Sequence, residues 1–236
     1  MNRRLPVSCM AVALFAGFIN TPIASAQQSV NFFVGAFVPQ GFDGRDLDDV
    51  LVQNSSFLWF DFDDFTGATF GGEYLVGLGD FFDAGAGVGI YSRTSPAIYQ
   101  DFTHPNGAEI EQDLKLRVVP ITATFRFLPL GHRDAVVPYV GGGVGIYRWR
   151  YAEVGEFIDI EGNIFSDFDR YIATGTTVGP VFLVGARIPF GSKGSGFGGE
   201  FRYHWGTADL PPALNFAGPR LSLEGFNVLF TVNLGF

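Results

Sequence analysis

Eight ionisable side chains carry most of the chemistry that this sequence could do: Glu73, Asp83, Arg93, Arg126, Arg187, Glu200, Arg202 and His204. They are of both signs, and most of them alternate with large apolar residues. Charges held together on one buried face must be paired and hydrogen-bonded to be tolerable. Such a set can act as a structural plug of ion pairs or line a narrow polar conduit. A second candidate is the acidic run Asp43, Asp46, Asp48 and Asp49, whose oxygens could share a divalent cation. Its spacing lacks the EF-hand frame, so no metal site is assigned. His104 falls in a loop and His132 in a turn, and neither belongs to a metal-spaced set. The only cysteine is Cys9, which leaves the rest of the chain without thiol chemistry. No cofactor is implied.

The elements that must position these residues show themselves best at the C-terminus. In FNVLFTVNLGF, Phe226, Val228, Phe230, Val232, Leu234 and Phe236 share one parity, with Asn227, Leu229, Thr231, Asn233 and Gly235 on the other. Strict alternation with period two is the mark of a strand with one apolar face. An outward face against lipid and a mixed inner face account for this run and for its abrupt end on Phe236. The same pattern predicts strands over Val30–Val38, Ala68–Leu78, Phe81–Arg93, Leu114–Leu128, Val136–Arg150, Thr177–Phe190 and Phe197–Thr207. The pentapeptide Gly87-Val88-Gly89-Ile90-Tyr91 recurs as Gly143-Val144-Gly145-Ile146-Tyr147, which suggests a duplicated hairpin. Long acidic connections (41–67, 95–113, 152–176) and a last loop (208–221) alternate with short turns at Gly79-Asp80, 129–133 and 191–196. That rhythm predicts an all-β, eight-stranded, antiparallel up-and-down transmembrane β-barrel, with the eight ionisable residues facing inward.

Length and charge agree with one barrel domain over residues 27–236. Before it, Arg3 and Arg4, a short apolar run and Ala24-Ser25-Ala26 read as a signal peptide over residues 1–26, cleaved on export. Its removal would take the formal charge from −9 to −11, a balance that excludes nucleic acid as a natural partner. Lys115, Arg117, Arg148 and Arg150 run against that balance. They open strand 4 and close strand 5, on the outward parity beyond the apolar band. Basic forks at that height suit lipopolysaccharide phosphates. Phe57-Leu58-Trp59-Phe60 beside acids suggests either an adhesive patch or packing on the rim.

The signal peptide, PYVGGGVGIYRWR and the LFTVNLGF end together resemble the small outer-membrane β-barrel proteins of Gram-negative bacteria, the group of OmpA-like and OmpX-like eight-stranded barrels. The resemblance implies residence in the outer membrane. It also implies that Phe230, Val232, Leu234 and Phe236 are read by the barrel-assembly machinery, although Thr231 stands where that signal often has Gly. Arg202-Tyr203-His204-Trp205-Gly206-Thr207 is similar to the surroundings of the histidine in lipid A deacylases, also small outer-membrane barrels. Those enzymes need a serine two residues after the histidine, on the same strand face. Here that position is Gly206, and Thr207 points to the opposite face, so the chain is expected not to be an enzyme. The expected role is structural or interactive, through outer loops whose partner is not identified. Porin-like passage of small or hydrophobic molecules is the alternative, and lipid A modification a more distant one.

Overall fold

The computed structural model describes residues 27–158, 164–190 and 194–236. The expected signal peptide lies outside the described residues. The described residues form eleven strands: β1 Gln28–Pro39, β2 Leu58–Trp59, β3 Gly67–Gly77, β4 Phe82–Thr103, β5 Glu109–Phe127, β6 Val137–Ile158, β7 Ile164–Phe190, β8 Ser195–His204, β9 Thr207–Asp209, β10 Arg220–Ser222 and β11 Gly225–Gly235. Eight of them, β1, β3, β4, β5, β6, β7, β8 and β11, pair in that order, and every pairing is antiparallel. The ring closes where β1 lies against β11, with Val30 opposite Leu234 and Val38 opposite Phe226. Closure leaves no sheet edge in the wall, which is the condition for a sheet to cross lipid.

Side-chain parity explains which way the wall faces. Phe32, Val34, Phe70, Val88, Ile121, Phe125, Val144, Phe182, Val184, Phe201, Val228 and Phe230 are exposed, while their sequence neighbours point inward. Rows run across the strands: Val88, Ile121, Ile146 and Val178 are successive register partners. The belt on β5 spans Val119 to Phe127, in line with the roughly 9–11 tilted residues that a strand needs to cross the hydrocarbon core. Pro120 interrupts it locally. The β4–β5 ladder stops at Val88–Ile121 and resumes at Tyr91–Val118, because proline has no N–H to give.

The connections separate by end. Short turns join β3 to β4 and β5 to β6 at one end, where the first and last wall strands also meet through Phe236 N–H donating to the Gln28 carbonyl. Gly79 takes a φ of +77° there, which only a residue without Cβ adopts freely. At the other end, 40–66 and 205–224 are long. The connections after β4 and β6 are much shorter than the sequence suggested: β4 continues to Thr103 and β5 begins at Glu109, while β6 reaches Ile158 and β7 starts at Ile164. Polar residues there were read as loop, but the alternation persists. Ile110, Gln112, Leu114 and Leu116 are buried, with Glu111 and Arg117 exposed between and beyond them. These strands therefore stand above the belt as a raised four-stranded sheet, solvated on its outer face.

The inner face of that raised sheet is covered. A short helix, α1 (Val50–Asn54), β2 and two single turns of 3-10 helix fold the 40–66 segment into the barrel mouth. Val50, Leu51, Leu58 and Phe65 are buried against Ala97, Leu114, Leu116, Trp149 and Tyr151, together with Leu210, Leu221 and Leu223 from the 205–224 segment. Each fully buried aliphatic or aromatic side chain contributes about 1.5–3 kcal/mol, so this cap has a core of its own.

Candidate functional site

The interior of the ring holds the ionisable residues in layers. Midway along the barrel, Glu73 from β3, Arg126 from β5 and Glu200 and Arg202 from β8 form one cluster. Arg126 Nη2 donates to Glu73 Oε2 and, at 3.0 Å, to Glu200 Oε2. Arg202 Nη2 lies 2.6 Å from Glu200 Oε1 and 3.4 Å from Glu73 Oε2. Thr124 Oγ1 donates to Glu73 Oε1 at 2.8 Å, and Tyr139 Oη to Glu200 Oε2 at 3.1 Å. The guanidinium carbons of Arg126 and Arg202 sit 4.9 Å and 5.3 Å from the ring centroids of Tyr139 and Phe33, a cation–π arrangement. Two acids and two bases thus cancel, with their oxygens and forks mostly occupied. The glycine track of β4 makes room for them: a Cβ at Gly85 would lie 2.6 Å from Glu73 Oε1 and 2.7 Å from Thr124 Oγ1.

A second layer lies towards the long-loop end. Tyr91, Phe37, His204 and Tyr147 form a chain of rings reaching from β4 through β1 and β8 to β6. Their successive centroid distances are 4.7, 5.1 and 5.2 Å. The repeated pentapeptide explains two of them, since each copy ends on an inward tyrosine. A Cβ at Gly145 would lie 2.5 Å from Tyr147 Cζ, so the glycine leaves the ring its place. His204 is stacked between Phe37 and Tyr147, and its Nδ1 is 3.4 Å from Asn227 Nδ2. Thr207 is exposed on the opposite face. The geometry of His204 is that of a packed interior ring.

The three remaining residues of the expected inward set separate from the main cluster. Asp83 is buried at the short-turn end, where His132 Nε2 meets its Oδ1 at 2.7 Å and His132 Nδ1 meets the Asp80 carbonyl at 2.8 Å. Arg187 is half-buried at the same end, its Nε without a hydrogen-bond partner among the described residues. Arg93 is a correction: it is exposed, and its Nε donates to the Asp64 carbonyl at 2.7 Å. The β3–β4 ladder ends at Thr69–Tyr91, so Arg93 sits above the closed ring and faces the cap. His132 is a residue that sequence reasoning left out. The only signal for it was a histidine in a short turn, and its partner lies 49 residues away.

His132 lies outside the membrane-spanning segments, and its hydrogen bond to Asp83 holds its pKa above the ordinary imidazole value. A raised pKa means that the charged pair stabilises the fold fully below about pH 6.5 and ceases to do so as pH rises through the folded value. We expect thermal melts of the refolded protein to lose stability across that window and His132→Gln to flatten the dependence. A pH profile unchanged by the substitution would exclude the pair as its source.

The cap holds itself by a separate buried pair. Arg45 Nη1 donates to Asp49 Oδ2 at 2.9 Å, with both side chains almost fully buried. Asp49 also accepts from Leu51 N at 2.9 Å, capping α1, and from Ser222 N at 2.6 Å. Asp48 faces Arg220 at 3.5 Å. Asp48 and Asp49 are therefore structural groups that tie 40–66 to 205–224. At the far end of α1, Asn54 Nδ2 donates to Glu153 Oε1 at 2.7 Å and to Tyr151 Oη at 3.1 Å, and burial pushes the Glu153 carboxyl up. Leu58 is buried beneath the cap, while Trp59 beside it stays exposed.

On the outside, Arg117, Arg148 and Arg150 are exposed just above the belt. Lys115 is half-exposed and paired with Asp113 at 3.1 Å. Phe230, Leu234 and Phe236 are exposed on the outer wall of β11, with Val232 half-exposed among them.

No family model and no curated sequence matches the chain. Solved structures that it resembles include the outer membrane protein OprG from Pseudomonas aeruginosa, at 12% identity and a TM-score of 0.48, covering 89% of this chain and 96% of that one. Neisserial surface protein A matches at 12% identity and a TM-score of 0.45, with 89% and 97% covered. Ail of Yersinia pestis, solved with the heparin analogue sucrose octasulfate, matches at 11% identity and a TM-score of 0.40, with 89% and 99% covered.

Proposed function

We propose that this chain is a non-enzymatic protein of the Gram-negative outer membrane, whose barrel serves as a sealed anchor and whose outward-facing cap and raised sheet meet the surroundings. In this orientation the short turns and both termini face the periplasm. The observation that carries the reading is the pair of stacked seals across the ring. A charge-balanced cluster fills the middle of the bore, and a row of aromatic rings crosses it above. An ion entering from either side meets side chains already bonded to one another, and leaving its water there without new partners is costly. His204, the histidine inside the bore, is committed to ring stacking, which favours a structural over a catalytic role. The rigid cap, held by Asp49 and by its own apolar core, favours recognition by a fixed surface, with Trp59 as its most exposed aromatic.

Two measurements test this reading. Fractionation of cell envelopes should recover the protein with the outer membrane, in a form that shifts in mobility on heating. In planar bilayers, the refolded chain from residue 27 should be electrically silent, and Arg202→Ala should remain silent because the aromatic layer is untouched. Steady conductance of the parent protein, altered by Arg202→Ala, would overturn the sealed reading and favour passage of small molecules.

A further inference from the structure

The exterior rows immediately above the apolar belt hold an arrangement that the barrel itself does not need. Counting upward from the belt row Val88–Ile121–Ile146–Val178, the next row, at the upper edge of the belt, is Val119–Arg148–Thr176, and the one above it Ser92–Arg117–Arg150–Thr174. Arg117 and Arg150 are directly opposed across β5 and β6, and Arg148 lies one step below on the same face. Like charges opposed across strands are destabilising. Among the described residues none of the three arginines has an ion-pair partner, although acids outnumber bases 24 to 15 in the chain. Arg126 and Arg202 in the bore and Arg45 and Arg220 at the cap are paired with acids; these three are not. They border a groove of about 620 Å³ whose walls also carry the Thr174 and Thr176 side chains.

We propose that Arg117, Arg148 and Arg150 form a phosphate clamp for the headgroup of a phosphorylated glycolipid in the outer leaflet, an inference that rests on the outer-membrane reading above. An anion of high charge density relieves the repulsion of the opposed guanidiniums, and each fork can donate two parallel N–H bonds to it. Height selects the lipid over a free ion. Two residues along a strand span about 6.6 Å, so the lower arginine stands one step above Ile146 and Val178, where acyl chains end. A phosphate bound there has its own lipid tails lying along the belt. Lys115, held by Asp113, is not part of the clamp.

The test uses the refolded chain from residue 27 in neutral detergent, with retained lipid counted by native mass spectrometry and folding checked by heat-dependent gel mobility. The probes are bisphosphorylated lipid A, its monophosphoryl form and inorganic phosphate. We expect lipid A to be retained, the monophosphoryl form less so, and the double variant Arg117→Gln/Arg150→Gln to lose retention on the order of tenfold. Arg133→Gln, at the opposite end of the barrel, should change nothing. The pair Arg117→Lys/Arg150→Lys keeps the charge without the fork and should fall between. Retention unchanged in the folded double variant would overturn the clamp, and displacement by excess inorganic phosphate would overturn the lipid as its ligand. Envelope fractionation reads the outer-membrane assignment independently, so failure of one is distinguishable from failure of the other.

Discussion

Arg126→Ala should cost the barrel roughly 3–5 kcal/mol, the range for breaking a buried ion pair by removing one partner. The deletion takes from Glu73 its closest counter-charge and from Glu200 one of its two arginine partners, so that Arg202 must then serve both acids. Urea unfolding of the protein in lipid vesicles, followed by tryptophan emission, measures the loss. The double variant Glu73→Gln/Arg126→Gln should lose clearly less than the sum of its single changes, because Glu200 and Arg202 remain a balanced pair bonded at 2.6 and 2.7 Å. Strict additivity would mean that the four groups do not act as one unit.

The second large effect belongs to the cap. Asp49→Ala removes the counter-charge of Arg45 and the acceptor for the first turn of α1 and for the Ser222 amide, so the buried guanidinium keeps only the Gln40 and Ser222 carbonyls and two amides lose their partner. The penalty, again roughly 3–5 kcal/mol, falls on one region, since the barrel wall shares none of these bonds. Chymotrypsin should therefore cut the variant within 40–66, where Phe57, Trp59 and Phe60 offer sites, at a rate well above that of the parent. The heat-dependent shift in gel mobility should be retained. Loss of that shift would show that cap and barrel unfold together. Equal protection of variant and parent would show that the apolar core alone holds the segment.

These expectations could be formed only in part from the chain itself. Strand parity was legible because lipid imposes it: one face must be apolar, so Phe226 to Phe236 or Phe82 to Ile90 reveal their outer and inner sides without a partner in view. Parity alone put Glu73, Arg126, Glu200 and Arg202 on the inner face, but not which of the eight inward residues would meet. Above the belt the outer face meets water, and the rule that separated strand from loop no longer held. The residues 95–113 looked like a connection, yet Ile110, Gln112, Leu114 and Leu116 point into a cap whose existence depends on contacts such as Asp49 with Ser222, 173 residues apart. Arg93 failed for the same reason, being on the inward parity where no interior remains. Asp83 was read as inward, but its partner was not legible, because the turn that brings His132 to it has no period to read.

The distribution of the bore's charges among strands also bears on how the ring comes together. Glu73, Arg126 and the Glu200–Arg202 pair belong to the second, fourth and seventh wall strands, so no single hairpin contains the whole set. A half-built sheet holding the first strands carries Glu73 and Arg126, with Arg126 still lacking Glu200. One holding the last strands carries Glu200 and Arg202 without the partners across the bore. Only when β1 meets β11 does the seventh strand approach the second and fourth from the other side, and the cross-barrel bonds form together. Closure is therefore favoured as a late, concerted step rather than strand by strand, and an open sheet in the bilayer has every incentive to finish or to withdraw.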